Sequence, residues 1–315
     1  MDEFPYKMKY LIAVALVIAC VQGFSRQSFG WRARSYQTST CLTMSAVPTS
    51  TMHGPSYKVS NLERSVSFYT KVLGMKVVEE NKAKGVAKMV MDDDAAAMSI
   101  ELQAANGAIL IGDAYSGIGI RVPNAATMFQ AVESEGGKVL LDVGDFAYAA
   151  SLIPDEDEMR NTPVRYGRLS DPDGYKIEVR EDKKMSSSSR KLFKMVLNVL
   201  DIEESVAFYR DVLGMNVLRR RSNVYGIPKD ASMCAFIGYS DEATGSYLEL
   251  HYQYAIDKLD MGNGYLRSSF DVPNNEEVAN KLMDKVLQGA GKALEVTDDN
   301  TIVVRDPSDF PVLLV

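Results

Sequence analysis

The chain of 315 residues carries a formal net charge of −7, with 46% hydrophobic and 24% charged residues. That is ordinary globular composition, and the length suggests about two domains. The acidic balance argues against a nucleic-acid partner, because phosphate binding needs clustered Lys and Arg; the short run Arg219-Arg220-Arg221 reads as a solvated strand end.

The first fifty residues read as an address. Lys7 and Lys9 precede an apolar run from Tyr10 to Val21 that is too short to span a bilayer, and Val21-Gln22-Gly23 offers a cleavage site, so residues 1–23 form a signal peptide. Residues 24–50 hold Arg26, Arg32 and Arg34, many Ser and Thr, and no acid; that is transit-peptide chemistry. A signal peptide followed by a transit peptide that starts on an aromatic residue, here Phe24, resembles the presequences of algae with a red-type secondary plastid. The expected location is the plastid stroma; the alternative is a secreted protein. Cys20 and Cys41 lie in this leader, so Cys234 alone would remain and no internal disulfide could form.

A tandem repeat organises the rest. Residues 57–80 and 197–220 match without gaps at 11 of 24 positions, each pair 140 residues apart. Each copy begins strand–helix–strand. Asn61 and Asp201 are helix N-caps, Val66, Tyr69, Val72 and Leu73 recur at helical spacing, and Gly74 and Gly214 stand where the helices end. Helices are therefore expected over 62–73 and 202–213. Strand-like runs follow at Ala87–Met91, Ala97–Leu102, Ser232–Tyr239 and Ser246–Tyr252. The pattern then restarts within each copy: strands at Ile118–Val122 and Leu266–Val272, helices at Ala125–Ser134 and Glu276–Leu287. Val139–Leu141, Arg165–Leu169 and Tyr175–Arg180 complete the first copy, with a turn at 171–174. The reading is an α+β chain of two modules, 52–181 and 191–315, joined by a polar linker over 182–190. Each module holds two βαβββ units.

Paired βαβββ units, the element SVxFYxxVLGM and the segment DPDGYKIE resemble the vicinal oxygen chelate superfamily, most nearly the two-module glyoxalase I (lactoylglutathione lyase) branch. Residues 246–265 resemble that branch's metal-strand region. The resemblance implies isomerisation of the methylglyoxal–glutathione hemithioacetal, with a divalent metal such as Zn or Ni holding the substrate oxygens, a glutamate moving the proton, and glutathione as co-substrate. It implies two His and two Glu per metal, with each site taking ligands from both modules. It also implies a small-molecule substrate, no membrane partner after processing, and a monomer whose modules mimic a dimer.

Carried over position by position, the first His falls on Gly54, beside His53, and on Lys194. The first Glu falls on Glu101 and Glu249. The second His falls on Gly117 and Arg267, and the last Glu on Glu178 and Leu313. The Arg that contacts glutathione falls on Lys58 and Asn198, and an Asn near the first Glu falls on Gln253. Only Glu101, Glu178 and Glu249 keep a ligand type, so the catalytic candidates are these three.

Three readings of the site stay open. His251, two residues after Glu249 on a strand, shares its face and could rebuild a Glu-His-Glu metal set with Glu178. His53 could regain a ligand position through a bulge. Alternatively, Arg267 beside Glu101, and Lys194 beside Glu249 and Glu178, replace the metal charge by ion pairs. The corresponding functions are a glyoxalase I-like lyase with a degenerate metal site and a non-catalytic binding or regulatory protein; dioxygenase-type or resistance-type chemistry is a further option. The leader has its own test. A fluorescent protein fused behind residues 1–50 should enter the plastid of such an alga, and Phe24→Ala should strand it outside; secretion of the intact fusion overturns the reading.

Overall fold

The computed structural model describes residues 51–94, 96–146, 164–185, 190–223, 232–242, 244–254, 256–271, 292–296 and 302–314. The leader, the serine tract at 186–189 and the helix expected at Glu276–Leu287 lie outside the described residues.

The first unit comprises β1 (Thr51–Val59), α1 (Leu62–Lys71), β2 (Lys76–Asn81), β3 (Val86–Val90) and β4 (Ser99–Ala104). The second comprises β5 (Tyr115–Val122), α2 (Ala126–Ala131), β6 (Lys138–Phe146), β7 (Val164–Ser170) and β8 (Lys176–Glu181). The third comprises β9 (Leu192–Asn198), α3 (Ile202–Ala207), β10 (Asn216–Asn223), β11 (Ser232–Gly238) and β12 (Tyr247–Gln253). The fourth begins with β13 (Tyr265–Asp271) and ends with β14 (Lys292–Val296), β15 (Ile302–Arg305) and β16 (Pro311–Leu314).

These strands form two sheets of eight, and each sheet joins a unit of one module to a unit of the other. The first runs β14-β15-β16-β13-β1-β4-β3-β2, the second β10-β11-β12-β9-β5-β8-β7-β6. Within a unit the first strand pairs parallel with the last; between modules β1 pairs antiparallel with β13, and β5 with β9. No helix among the described residues is long and apolar enough to cross a membrane.

The helices form where the caps stand. The Asn61 side chain accepts from the Arg64 amide at 2.9 Å and Asp201 from the Glu204 amide at 2.9 Å. Phe68, Tyr69, Val72 and Leu73 bury one face of α1 and its exit. The second copy, α3, widens into a π-turn over Phe208–Val212. The segment expected as a helix to Ser134 is regular only to Ala131. Ala125 offers no side-chain cap, and the Val132 amide bonds Phe129 one residue short of helical spacing. The short strand expected at Val139–Leu141 runs on to Phe146, because two irregularities in its pairing with β7 hide its alternation.

Within each module the helix is bonded to the turn near the module's end. Tyr69 donates to Asp171 at 3.1 Å and Tyr209 to Asp306 at 3.0 Å. Both carboxylates are buried and also accept backbone amides: Asp171 from Asp173, Gly174 and Tyr175, and Asp306 from Ser308 and Phe310. Between modules, Tyr57, Tyr115, Tyr175 and Tyr265 cluster in the core. The rings of Tyr57 and Tyr175 lie 4.2 Å apart and those of Tyr115 and Tyr265 4.8 Å apart. Such pairs add about 0.5–1.5 kcal/mol each beyond area burial.

Burial pushes Asp171 up to about 7, against the pull of its amide donors. A carboxyl raised in the folded state holds its proton where the unfolded chain has released it. Its contribution therefore falls as pH rises from about 4 to about 7. Asp171→Asn keeps an oxygen for the amides and removes the titration. Urea midpoints of the native protein and the variant should diverge against the native protein over that range; parallel curves would refute the assignment.

Candidate functional site

The family ligand positions converge on one face of each sheet, and the second sheet holds the better-built site. Lys194 on β9 lies beside Tyr247 of β12 and Gly119 of β5, and Gly119 in turn pairs with Glu178 of β8. Glu249 follows Tyr247 by two residues, so it emerges on the same face. The Lys194 Nζ lies 2.6 Å from Glu178 Oε2 and 2.7 Å from Glu249 Oε2. Gly119 makes this possible: a Cβ there would lie 2.4 Å from Lys194 Cγ. The lysine stem crosses the strand where a side chain is missing.

Lys194 and Glu249 are 8% and 7% exposed. Burial opposes the Lys194 charge, but the Glu178 and Glu249 carboxylates outweigh it and hold its pKa well above the ordinary value. Burial likewise opposes ionisation of Glu249, and the Lys194 ammonium reverses that and holds it below the usual carboxylate range. Two carboxylates, buried Glu249 and the partly exposed Glu178, close on one ammonium and keep it charged.

Above the triad opens a cavity of about 420 Å3 whose wall includes Arg168, Lys176, Arg221, Cys234, His251 and Gln253. Arg168 Nη2 lies 3.4 Å from Glu178 Oε1. His251 Nδ1 lies 3.1 Å from Asn198 Oδ1. Burial lowers the His251 pKa, with Glu249 opposing and Arg221 reinforcing. Burial, then the Glu249 charge, pushes the Cys234 thiol up to about 12, so it stays protonated and unreactive.

The first sheet carries a simpler pair. Arg267 Nη2 lies 3.1 Å from Glu101 Oε1, both about one-third exposed. A pair this accessible contributes about 0–1 kcal/mol. His53 sits at a bulge: Met52 pairs with Phe270 and Gly54 with the adjacent Ser269, leaving His53 as the extra residue. Burial lowers its pKa, aided by Lys88 and opposed by Asp271. Lys58 lies on β1 of this sheet, where its carbonyl accepts from Tyr175 at 2.8 Å, while Gln253 lines the cavity of the other. Lys58 and Gln253 are therefore not brought together, whereas Asn198, the second position carried over from that Arg, meets His251 on the wall that Gln253 shares.

The donor set does not fit a divalent ion. A metal needs donors at about 2.0–2.2 Å, and in the second sheet the ammonium already stands between the carboxylates. The two glycines at family His positions are closed to side chains. Gly54 has φ +102° and a Cβ would lie 2.2 Å from Ser99 O; Gly117 has φ +119° and a Cβ would lie 2.1 Å from Lys176 O. Among the described residues no group of three or more His, Cys, Asp or Glu is placed to hold a metal ion. His251 is not gathered with Glu249 and Glu178 as a ligand set, since its Nδ1 meets Asn198 and the carboxylates meet Lys194.

One sequence reading is corrected. Arg219-Arg220-Arg221 is not a solvated strand end. Arg219 turns inward, 3.6 Å over the Phe236 ring, with Nε 2.7 Å from Glu242. Arg220 faces out to Glu203, and Arg221 reaches the cavity wall. The signal was strand alternation, which gives Arg219 and Arg221 one face and Arg220 the other. Arg168 and Lys176 also escaped notice, because neither occupies a family ligand position.

A family model described as the Glyoxalase/Bleomycin resistance protein/Dioxygenase superfamily matches residues 55–179 and 191–309. The chain is 28% identical over 220 residues to the probable chloroplastic lactoylglutathione lyase of Arabidopsis thaliana, covering 66% of this chain and 56% of that protein. It therefore spans little more than half of that relative's length. It is 26% identical over 273 residues to a second lactoylglutathione lyase of the same plant, covering 82% of this chain and 89% of the relative. Glyoxalase I from Zea mays shares the fold, with a TM-score of 0.70 at 23% identity, over 84% of this chain and 92% of that one.

Removing the ammonium should be costly. Lys194→Met should lower stability by about 3–5 kcal/mol, since it strands the buried Glu249 carboxylate, and adding Glu249→Leu should recover part of that. Lys194→His should confer Zn2+ or Ni2+ uptake through Glu178 and Glu249. Arg267→His, with Glu101 alone beside it, should not. Denaturant unfolding and metal content after dialysis check both.

Proposed function

Starting from a chain that belongs to the Glyoxalase/Bleomycin resistance protein/Dioxygenase superfamily, we propose that it is a metal-independent small-molecule-binding member of that superfamily. In this reading an ammonium replaces the metal of its lactoylglutathione lyase relatives. The observation that carries the proposal is the buried contact of Lys194 Nζ with both Glu178 and Glu249, at 2.6 and 2.7 Å, beneath an open cavity. A lysine at that point supplies fixed positive charge but cannot ligate two substrate oxygens as a Lewis acid does. The leader chemistry and a relative named chloroplastic support a plastid location.

A second reading is isomerisation of a glutathione hemithioacetal. It is favoured by relatives named lactoylglutathione lyase and by Glu178, which keeps a carboxylate about one-third exposed on the cavity wall. In that case Lys194 and Arg168 would have to stabilise the developing negative charge.

Elemental analysis of the purified protein, paired with a hemithioacetal assay with and without added Ni2+ or Zn2+, separates the two. The proposal expects far less than one equivalent of metal and no metal-stimulated turnover. Stoichiometric metal together with stimulated turnover would overturn it. Metal-free turnover abolished by Glu178→Gln would favour the second reading.

A further inference from the structure

The cavity above the triad has a charge pattern of its own. Arg168, Lys176 and Arg221 line it and Lys194 lies beneath, four cations against the two carboxylates Glu178 and Glu249. The surplus is two positive charges in a chain that is net negative overall. The Arg168 Nε–H is buried and donates to nothing among the described residues.

On the same wall the His251 ring has a defined orientation of roles. The Asn198 Nδ2 donates to the Asp113 carbonyl, which turns the Asn198 Oδ1 toward the ring. An amide oxygen only accepts, so His251 Nδ1 carries the hydrogen and Nε2 of the neutral ring is an acceptor. The cavity therefore offers cationic donors and, at His251 Nε2, an acceptor that carries no hydrogen of its own, whereas Ser116, Ser232 and Gln253 on the same wall can both donate and accept. A plain dianion would leave that acceptor unanswered; a dianion that also carries a hydroxyl would satisfy both.

We propose that this cavity binds a small hydroxylated dianion, with its charge held by Arg168, Lys176 and Arg221 and its hydroxyl donated to His251 Nε2. The inference rests on the metal-free reading of the site above and names the ligand class for it. The cavity volume of about 420 Å3 is ample for a four-carbon dicarboxylate.

Malate and succinate are the probes, since both are dianions above neutral pH and differ by one hydroxyl. Calorimetric titration of the purified protein with racemic malate and with succinate should give malate about tenfold tighter, the worth of one well-made hydrogen bond to a buried acceptor. Arg221→Met should weaken both anions alike. His251→Phe or His251→Leu should bring the ratio to about one while keeping succinate binding. Equal affinity in the native protein overturns the proposal without any variant. So does saturable binding of neither anion in the millimolar range, or binding unchanged in Arg221→Met. Metal content of the same samples keeps the two readings apart. Stoichiometric metal defeats the metal-free reading, whereas metal-free protein that ignores both anions defeats only the ligand assignment.

Discussion

The pairing of β1 with β13 and of β5 with β9 is the constraint on which everything else depends. Each of these antiparallel seams joins one module to the other, so neither eight-stranded sheet belongs to a single module. Lys194 and Glu249 come from the second module, Glu178 and Arg168 from the first. The Tyr–Asp bonds of the helices work the other way, tying the two units of one module to each other. Sheet pairing and side-chain bonding thus cross-link the four units in complementary directions. A site placed on a seam inherits rigidity from both.

On that frame, the proposed replacement of a metal by a lysine is a problem of space as much as of charge. An imidazole ligand is short, whereas a lysine stem has four methylenes to place before its ammonium can reach two carboxylates. Gly119 supplies the room, since any side chain there would collide with the stem. The result keeps Glu249 ionised in a setting where burial alone would protonate it. The first sheet carries an arginine at the corresponding place, Arg267, which reaches a single carboxylate from a more exposed position. The two sites arose from one repeat, yet one is a buried triad under a cavity and the other a partly solvated pair.

The duplication, the helix caps and the family positions were all legible in the sequence, because each is a local pattern at fixed spacing. So were the partners of Lys194 and Arg267, since strand alternation and the crossing of modules put unlike charges on one face. What escaped was set by irregularity or by distance. The bulges at His53 and beside Gly117 break the period-two rule on which face assignments rest. Three consecutive arginines read as a polar run and masked the alternation by which Arg219 and Arg221, on β10 beside β11, face Phe236 and the cavity. Arg168 lies in no quoted motif, and Lys176, though inside DPDGYKIE and two residues before Glu178, stands at no ligand position of that motif.

One glycine at a family His position stands in each sheet, Gly54 in the first and Gly117 in the second, so the difference between the sheets lies in their other corners. Where Lys194 stands, the backbone still carries a side chain toward two carboxylates, so one residue separates the triad from a three-donor set. Where Gly54 and Gly117 stand, the strand has adopted a left-handed conformation and packs backbone oxygen where a Cβ would go. A histidine there would need the strand itself rebuilt, not merely a new side chain. The first sheet has lost its last glutamate as well, to Leu313. With Gly54 closed and Leu313 no donor, the first sheet keeps Glu101 as its one carboxylate at these positions, beside Arg267, whereas the second sheet, with Gly117 closed, keeps both Glu178 and Glu249 around Lys194.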